Sequence, residues 1–262
     1  MAADQATLEV IADKIFTAEK KGKLLAPISQ SHPDLTPEEC YAVQDLYVAK
    51  KLAGGDMLAG YKVGATGAAS QQKFGVDEPV YGHMFQSGRV ETGVTVPYGR
   101  WVHPIIECEL GLRLGKDLKG PGVTLESALD AIDAVFGTFE LIDSRTEGWQ
   151  IGRSEMLCDN GVQAGFLAGA EAVPVRDIDP ADITCVFRRN GEVIKEANTS
   201  MVAGNPVSSL VWLANKRGAA GVAIPAGSII LSGSLTGLTK IEKGDTFEAE
   251  FKGLETISIT IN

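Results

Sequence analysis

HPIIECELGLRL, residues 103–114, decides how this chain is read. Ile106, Cys108, Leu110, Leu112 and Leu114 alternate with Glu107, Glu109 and Arg113, the period-two pattern of a β-strand with one apolar face. On such a strand Glu107 and Glu109 project from the same side, roughly 7 Å apart along the chain. That spacing allows two outcomes: a half-buried strand with a wetted polar face, or two arms of a cation site. Cys108 between them points the other way, into a core.

Outward toward the C-terminus, FGTFELIDSR (136–145) places Glu140 inside the apolar run Phe139-Glu140-Leu141-Ile142. A carboxylate there needs a partner or a cation, because burying it alone is costly. Brought together, the three acids would repel one another and take up protons unless a cation neutralised them. An all-oxygen ligand set of this kind suits Mg2+ or Mn2+.

Outward toward the N-terminus, Lys62 sits in GYKVG (60–64), whose glycines allow close approach of backbone or ligand. It is either a surface lysine on an edge strand or a partly desolvated lysine near a metal. In the second case its pKa is expected to fall toward neutrality. GVDEPVYG (75–82) reads as a loop able to cover a site or as a simple connection, and Asp159-Asn160-Gly161 as pocket polar groups or a turn. His103 either orients a ligand or is an ordinary loop histidine.

The remaining pattern is α+β. Residues 6–21 carry a helical stripe of Leu8, Ile11, Ile15 and Phe16. A second helix starts at Thr36, with Pro37 and Glu39 completing a capping box, buries Val43, Leu46, Tyr47 and Leu52, and stops at Gly54-Gly55. From Gly60 onward, short β-type runs alternate with turns: RVETGVTV, ITCVFRRNGEVI, GSIILSGSL, DTFEAEFKG and ISITI, with Asn190-Gly191 as a hairpin signal. Helices are expected at 124–136 and 206–217. The division is a helical N-terminal segment, 1–57, followed by a strand-dominated catalytic domain, 58–262.

Composition narrows the partners. A net charge of -10 argues against a nucleic-acid or anionic-membrane surface, which needs clustered Lys and Arg. It allows a small anionic substrate at a site with its own metal and lysine. The N-terminus lacks the apolar core of a secretory signal, and AGVAIPAGSIIL (220–231) is too short to span a bilayer. Cys40, Cys108, Cys158 and Cys185 lie far apart in sequence, which reads as reduced thiols in a cytoplasmic protein. No G-x-S-x-G elbow, P-loop or dinucleotide fingerprint occurs.

Taken in order, GYKVG, GVDEPVYG, HPIIECEL, FELIDSR, Asp159-Asn160, Asn205-Pro206 and IILSGSLTG resemble the fumarylacetoacetate hydrolase superfamily. The match is best to its 2-oxopent-4-enoate hydratase and 4-oxalocrotonate decarboxylase branch. The resemblance implies a mixed β-sandwich or roll, with Mg2+ or Mn2+ held by Glu107, Glu109 and Glu140. It implies Lys62 as a proton shuttle, Asp77 and Asp159 as further catalytic residues, and Ser234 and Thr236 as substrate contacts. The implied reaction is metal-dependent hydration of a 2-hydroxypenta-2,4-dienoate-type acid to a 4-hydroxy-2-oxo acid, with decarboxylation of 2-oxo-3-hexenedioate, or C–C hydrolysis or tautomerisation of a 2-oxo acid, as the alternative. The family forms homo-oligomers, and its hydratases and decarboxylases associate with one another. Two departures stand out: Asn205 where the family has His, and Gly161-Val162-Gln163 where its decarboxylases carry serines. The second disfavours decarboxylation.

Overall fold

The computed structural model describes residues 3–262. Three helices come first: α1 (Gln5–Lys21), α2 (Ile28–Ser31) and α3 (Pro37–Ala53). Asp4 caps α1 by accepting from the Thr7 N–H at 2.8 Å. At α3 the Thr36 side chain and Glu39 bond each other's backbone N–H groups, a closed capping box. Val48 rather than Leu52 completes the buried stripe of α3. Leu52, expected inside, is 42% exposed, because it lies on the last turn, beyond the surface that the helix covers.

The rest of the chain follows as β1 (Leu58–Gly64), α4 (Ala68–Phe74), β2 (Val80–Phe85), β3 (Arg89–Val90), β4 (Val94–Val96), β5 (Pro104–Leu114), α5 (Leu125–Ala131) and β6 (Ile132–Asp143). Then come α6 (Arg153–Cys158), β7 (Gln163–Ala168), β8 (Val173–Pro174), β9 (Thr184–Arg189), β10 (Glu192–Asn198) and α7 (Val207–Ala219). The chain closes with β11 (Ile229–Ser234), β12 (Thr239–Lys240), β13 (Thr246–Phe251) and β14 (Ile257–Ile261). Among the described residues no helix is long and apolar enough to cross a membrane.

The strands form two mixed sheets. The larger runs β2-β1-β11-β5-β6-β7-β3, with β12 beside β5 and β8 beside β6; the smaller runs β10-β9-β13-β14-β4. Asn190 and Gly191, at φ 55° and 83°, turn β9 into β10 as the hairpin signal requires. RVETGVTV is not one strand: its first half joins the large sheet beside β7 and its second half the small sheet beside β14. The helix expected at 124–136 ends at Ala131. Ile132, Val135 and Phe136 instead begin β6, whose full-length pairing with β5 outweighs the weak helical spacing.

The sheets pack face to face. Phe139 of β6 meets Phe187 of β9, which stacks on Phe247 of β13, both pairs with ring centroids 5.8 Å apart. Ile106, Cys108, Leu110 and Leu112 of β5 point into this layer. Cysteines remote in sequence meet there: the Cys108 and Cys185 sulfurs are 3.4 Å apart. The alternate residues of β5 and β6 face the opposite side, beneath the helices. Ile142 there shares a core with Leu8, Ile11 and Ile15 of α1, Val43 and Tyr47 of α3, and Met156 and Leu157 of α6. The N-terminal helices are thus a third layer over the large sheet.

Candidate metal centre

Glu107 of β5 and Glu140 of β6 are directly opposed in register, and Glu109 lies one pleat further along the same face. The three offer carboxylate oxygens that all lie within 4.8 Å of one another. All are buried: Glu107 is 8% exposed, Glu109 1% and Glu140 0%. The polar face is therefore buried and not wetted, as the cation reading of the strand requires.

Lys62 reaches this cluster from β1, across the β11 strand that separates β1 from β5. Its Nζ donates to Glu140 Oε2 at 3.2 Å and stands 3.1 Å from Oε1, an oxygen that receives no hydrogen bond of its own. Two glycines make the arrangement possible. Gly233, at φ 117°, breaks the β11 register and donates its N–H to Glu109 Oε2 at 2.7 Å. Gly161, at φ 63°, passes so close to Lys62 that a Cβ would lie 2.9 Å from its Cε.

The charges do not balance. Burial, and then Glu140 and Glu107, push the Glu109 carboxyl well above its usual range, and Lys62 and the Gly233 N–H offset this only in part. Burial raises Glu140 to about 7 against the pull of Lys62. Burial also raises Glu107, opposed by Lys62, the Ser234 hydroxyl and Lys73. For Lys62, burial favours the neutral amine, but Glu140, Glu107 and Glu109 together outweigh it and hold the ammonium above its ordinary pKa. The lowered pKa expected from sequence is therefore reversed in the protein alone, because three carboxylates surround one amine. With all three carboxylates ionised, one ammonium leaves two negative charges uncompensated, so the cluster must take up protons or a cation. A divalent cation with a preference for oxygen matches that deficit, and Glu140 Oε1, which accepts no hydrogen bond, offers it a ligand atom.

The cluster opens into a cavity of about 500 Å3. Lys62, Glu107, Glu109 and Ser234 line its polar end; Phe74, Ile142, Trp149, Ile151, Met156, Val162 and Leu238 form its apolar wall. One side is built almost wholly by Ala65, Thr66 and α4, a helix with no buried residue.

The other sequence candidates lie elsewhere. Asp77 is solvent-exposed and off the cavity wall; α4, just before it, covers the site in its place. Asp159 is buried but turned to Arg145, whose Nε donates to its Oδ1 at 2.6 Å, and burial lifts its carboxyl to about 6 against that pull. The Thr236 Oγ1 accepts the Cys108 N–H at 3.1 Å and so secures the glutamate strand from its other edge. The Asn205 side-chain oxygen accepts the Val207 N–H at the start of α7. The His103 N–H donates to Asp143, and its ring meets Trp149 edge-on. Sequence reasoning passed over Trp149, Met156 and Lys73 as cavity residues. Trp149 carried a signal only in its position after a turn, and the others carried none.

The comparisons agree with this geometry. The family model for the fumarylacetoacetate (FAA) hydrolase C-terminal domain matches residues 65–262. A 2-hydroxyhexa-2,4-dienoate hydratase of Comamonas testosteroni is 32% identical over 259 residues, 98% of each chain. A 2-oxo-hept-4-ene-1,7-dioate hydratase of Escherichia coli is 34% identical, covering 97% of this chain and 98% of its own. The solved structure of 4-oxalocrotonate decarboxylase from Pseudomonas putida G7, complexed with magnesium and adipate, superposes with a TM-score of 0.96. It is 30% identical and covers 100% of this chain and 99% of its own.

Proposed function

Because the chain belongs to the fumarylacetoacetate hydrolase family, we propose that it is a divalent-cation-dependent lyase of small 2-oxo-enoic acids, acting as a hydratase. One observation carries the reading: three buried carboxylates and one lysine, two charges short of neutrality, stand at the polar end of an otherwise apolar cavity. Glu107, Glu109 and Glu140 would hold Mg2+ or Mn2+, which when bound supplies a Lewis acid for the keto oxygen of a 2-oxo acid.

The chain's own residues do the rest. Lys62, held as an ammonium and hydrogen-bonded to Glu140, can deliver a proton from Nζ to C5 of a 2-hydroxydienoate as the enol loses its hydroxyl proton. The product is an α,β-unsaturated 2-oxo acid. Water then adds its oxygen to C4 and a proton goes to C3, giving a 4-hydroxy-2-oxo acid. The Ser234 hydroxyl beside Glu107 favours its carboxylate form. Trp149, Ile151 and Met156 exclude bulk water from the carbon chain.

Decarboxylation is the second reading, supported by the likeness to the Pseudomonas putida enzyme. Against it, the Asn160–Val162 turn offers the cavity only the apolar Val162. The proposal extends to a homo-oligomer, with association with a related decarboxylase as an outcome to be looked for by size-exclusion chromatography. The deciding experiment incubates the Mg2+- or Mn2+-loaded protein with 2-hydroxypenta-2,4-dienoate and, separately, with 2-oxo-3-hexenedioate. Loss of the dienol absorbance without CO2 from either acid supports hydratase, and CO2 from the second acid supports decarboxylase. Full turnover after removal of metal by a chelator would refute the metal-dependent reading altogether.

A further inference from the structure

Of the cationic side chains at the cavity, Lys62 is committed to the glutamates. Along the wall, Phe74, Ile142, Trp149, Ile151, Met156, Val162 and Leu238 offer no charge to a ligand. One other cationic side chain lines the space: Lys73, on the last turn of α4. Its Nζ lies 5.2 Å from the ring centroid of Phe74, itself a wall residue. Among the described residues no carboxylate lies in salt-bridge range of it, whereas Lys62, the other lysine of the cavity, is paired with Glu140.

We propose that the substrate carries a second carboxylate and that Lys73 receives it, which makes Lys73 the residue that selects dicarboxylic over monocarboxylic 2-oxo-enoates. The inference rests on the reading of the site as one for 2-oxo acids. The 2-oxo carboxylate end is fixed by the polar end of the cavity, the carbon chain lies along the apolar wall, and the far carboxylate emerges where Lys73 stands. An apolar wall without a cation would leave that carboxylate desolvated and unpaired.

The placement also bears on the reaction. Loss of CO2 from 2-oxo-3-hexenedioate breaks the C5–C6 bond and sends its electron pair through C4 and C3 to the keto oxygen, so the C6 carboxylate gives up its negative charge. A lysine paired with that carboxylate stabilises the charge that has to leave. Lys73 therefore favours retention of the far carboxylate and addition of water.

The test uses two unreactive 2-oxo acids of equal length, 2-oxoadipate and 2-oxohexanoate, titrated calorimetrically into the Mg2+-loaded full chain. We expect 2-oxoadipate to bind about tenfold more tightly. In Lys73→Met the ratio of the two affinities should fall to about one, and in Lys73→Arg it should persist. Lys73 is exposed and makes no hydrogen bond within the protein's described residues, so folding is not at stake. Equal binding of both acids by the unsubstituted protein, or an unchanged ratio in Lys73→Met, would overturn the inference and leave the 2-oxo-acid reading intact. Failure of both acids to bind would overturn that reading, and this inference with it.

Discussion

His83 provides a quantitative test of how this sheet is held together. Its ring lies on β2, 2% exposed, between Gln44 of α3 and Arg217 of α7. The Gln44 amide nitrogen donates to the Tyr81 and Leu157 carbonyls, so its oxygen must face His83 Nδ1, 3.0 Å away. That assigns the proton to Nδ1 and leaves Nε2 to accept from the Arg217 guanidinium at 3.3 Å. A second proton would have to enter between the imidazole and a cation. Burial, and then Arg217, accordingly depress His83 to about 3. The surroundings offer little relief: Tyr61 and Tyr81 flank the ring, and Asp45 is the carboxylate in charge contact with Arg217. In the unfolded chain the same group titrates near 6.5. As pH falls below 6.5 the unfolded state binds the proton first, so stability is complete above that value and is lost on the way down toward 3. Between pH 7 and pH 5 the loss is about 2 kcal/mol. His83→Gln keeps a donor and an acceptor and cannot titrate. Urea unfolding at both pH values should therefore show the unsubstituted protein losing about 2 kcal/mol more than the variant over this interval. The carboxylates that also titrate are common to both proteins and cancel in the difference. Parallel losses, or an NMR titration that places His83 near 6.5 in the folded protein, would refute the assignment.

Two further outcomes concern the metal centre. At a Mg2+ or Mn2+ concentration about 100 times its Kd, the cation should stabilise the fold by about 2.7 kcal/mol and raise the melting temperature by roughly 5–10 °C, reversibly with a chelator. Glu140→Gln should abolish most of that shift, and an undiminished shift would exclude Glu140 as a ligand. Gly161→Ala places a methyl 2.9 Å from Lys62 Cε at a residue with φ 63°. It should cost only about 1–2 kcal/mol in thermal unfolding yet lower turnover at least about tenfold, because it moves the amine off Glu140. Unchanged turnover would show that the position of Lys62 is not critical.

Much of the site could be read from the chain because its ligands sit on a period-two pattern. Glu107, Glu109 and the apolar residues between them announce both the strand and its two faces, and a carboxylate inside Phe139–Ile142 announces its own need for a partner. What could not be read depends on contacts between distant segments. Periodicity joins residues three or four apart equally well in a helix and in a strand edge, and only pairing with β5 makes Ile132–Phe136 extended. The same limit applies to Lys62, whose surroundings set its charge. An isolated buried lysine leans toward the neutral amine, but three glutamates from two other strands reverse that. Asp77 and Thr236 have the right chemistry in the right motifs, yet a shift of a residue or two along a turn takes one into solvent and the other into the backbone of β5.

The helical layer helps to explain why these carboxylates are buried. Every proposed metal ligand lies within the residues matched by the family model, 65–262, and Lys62 lies just before it. The burial that gives the cluster its unbalanced charge has another source. Val43 and Tyr47 of α3 and Ile11 and Ile15 of α1 share a core with Ile142, Met156 and Val162, three of the residues that wall the cavity. Gln44 fastens α3 to the Leu157 and Tyr81 carbonyls, and the Ser29 N–H after α1 donates to the buried Glu155 at 2.8 Å. With that cover and α4, the polar face of β5 and β6 is enclosed except where the cavity opens. Without it Glu107, Glu109 and Glu140 would be solvated acids on an open sheet, each near its ordinary pKa and none in need of a cation. Residues 3–57 supply none of the clustered carboxylates. By helping to exclude water they favour a divalent ion as the way to balance the charge.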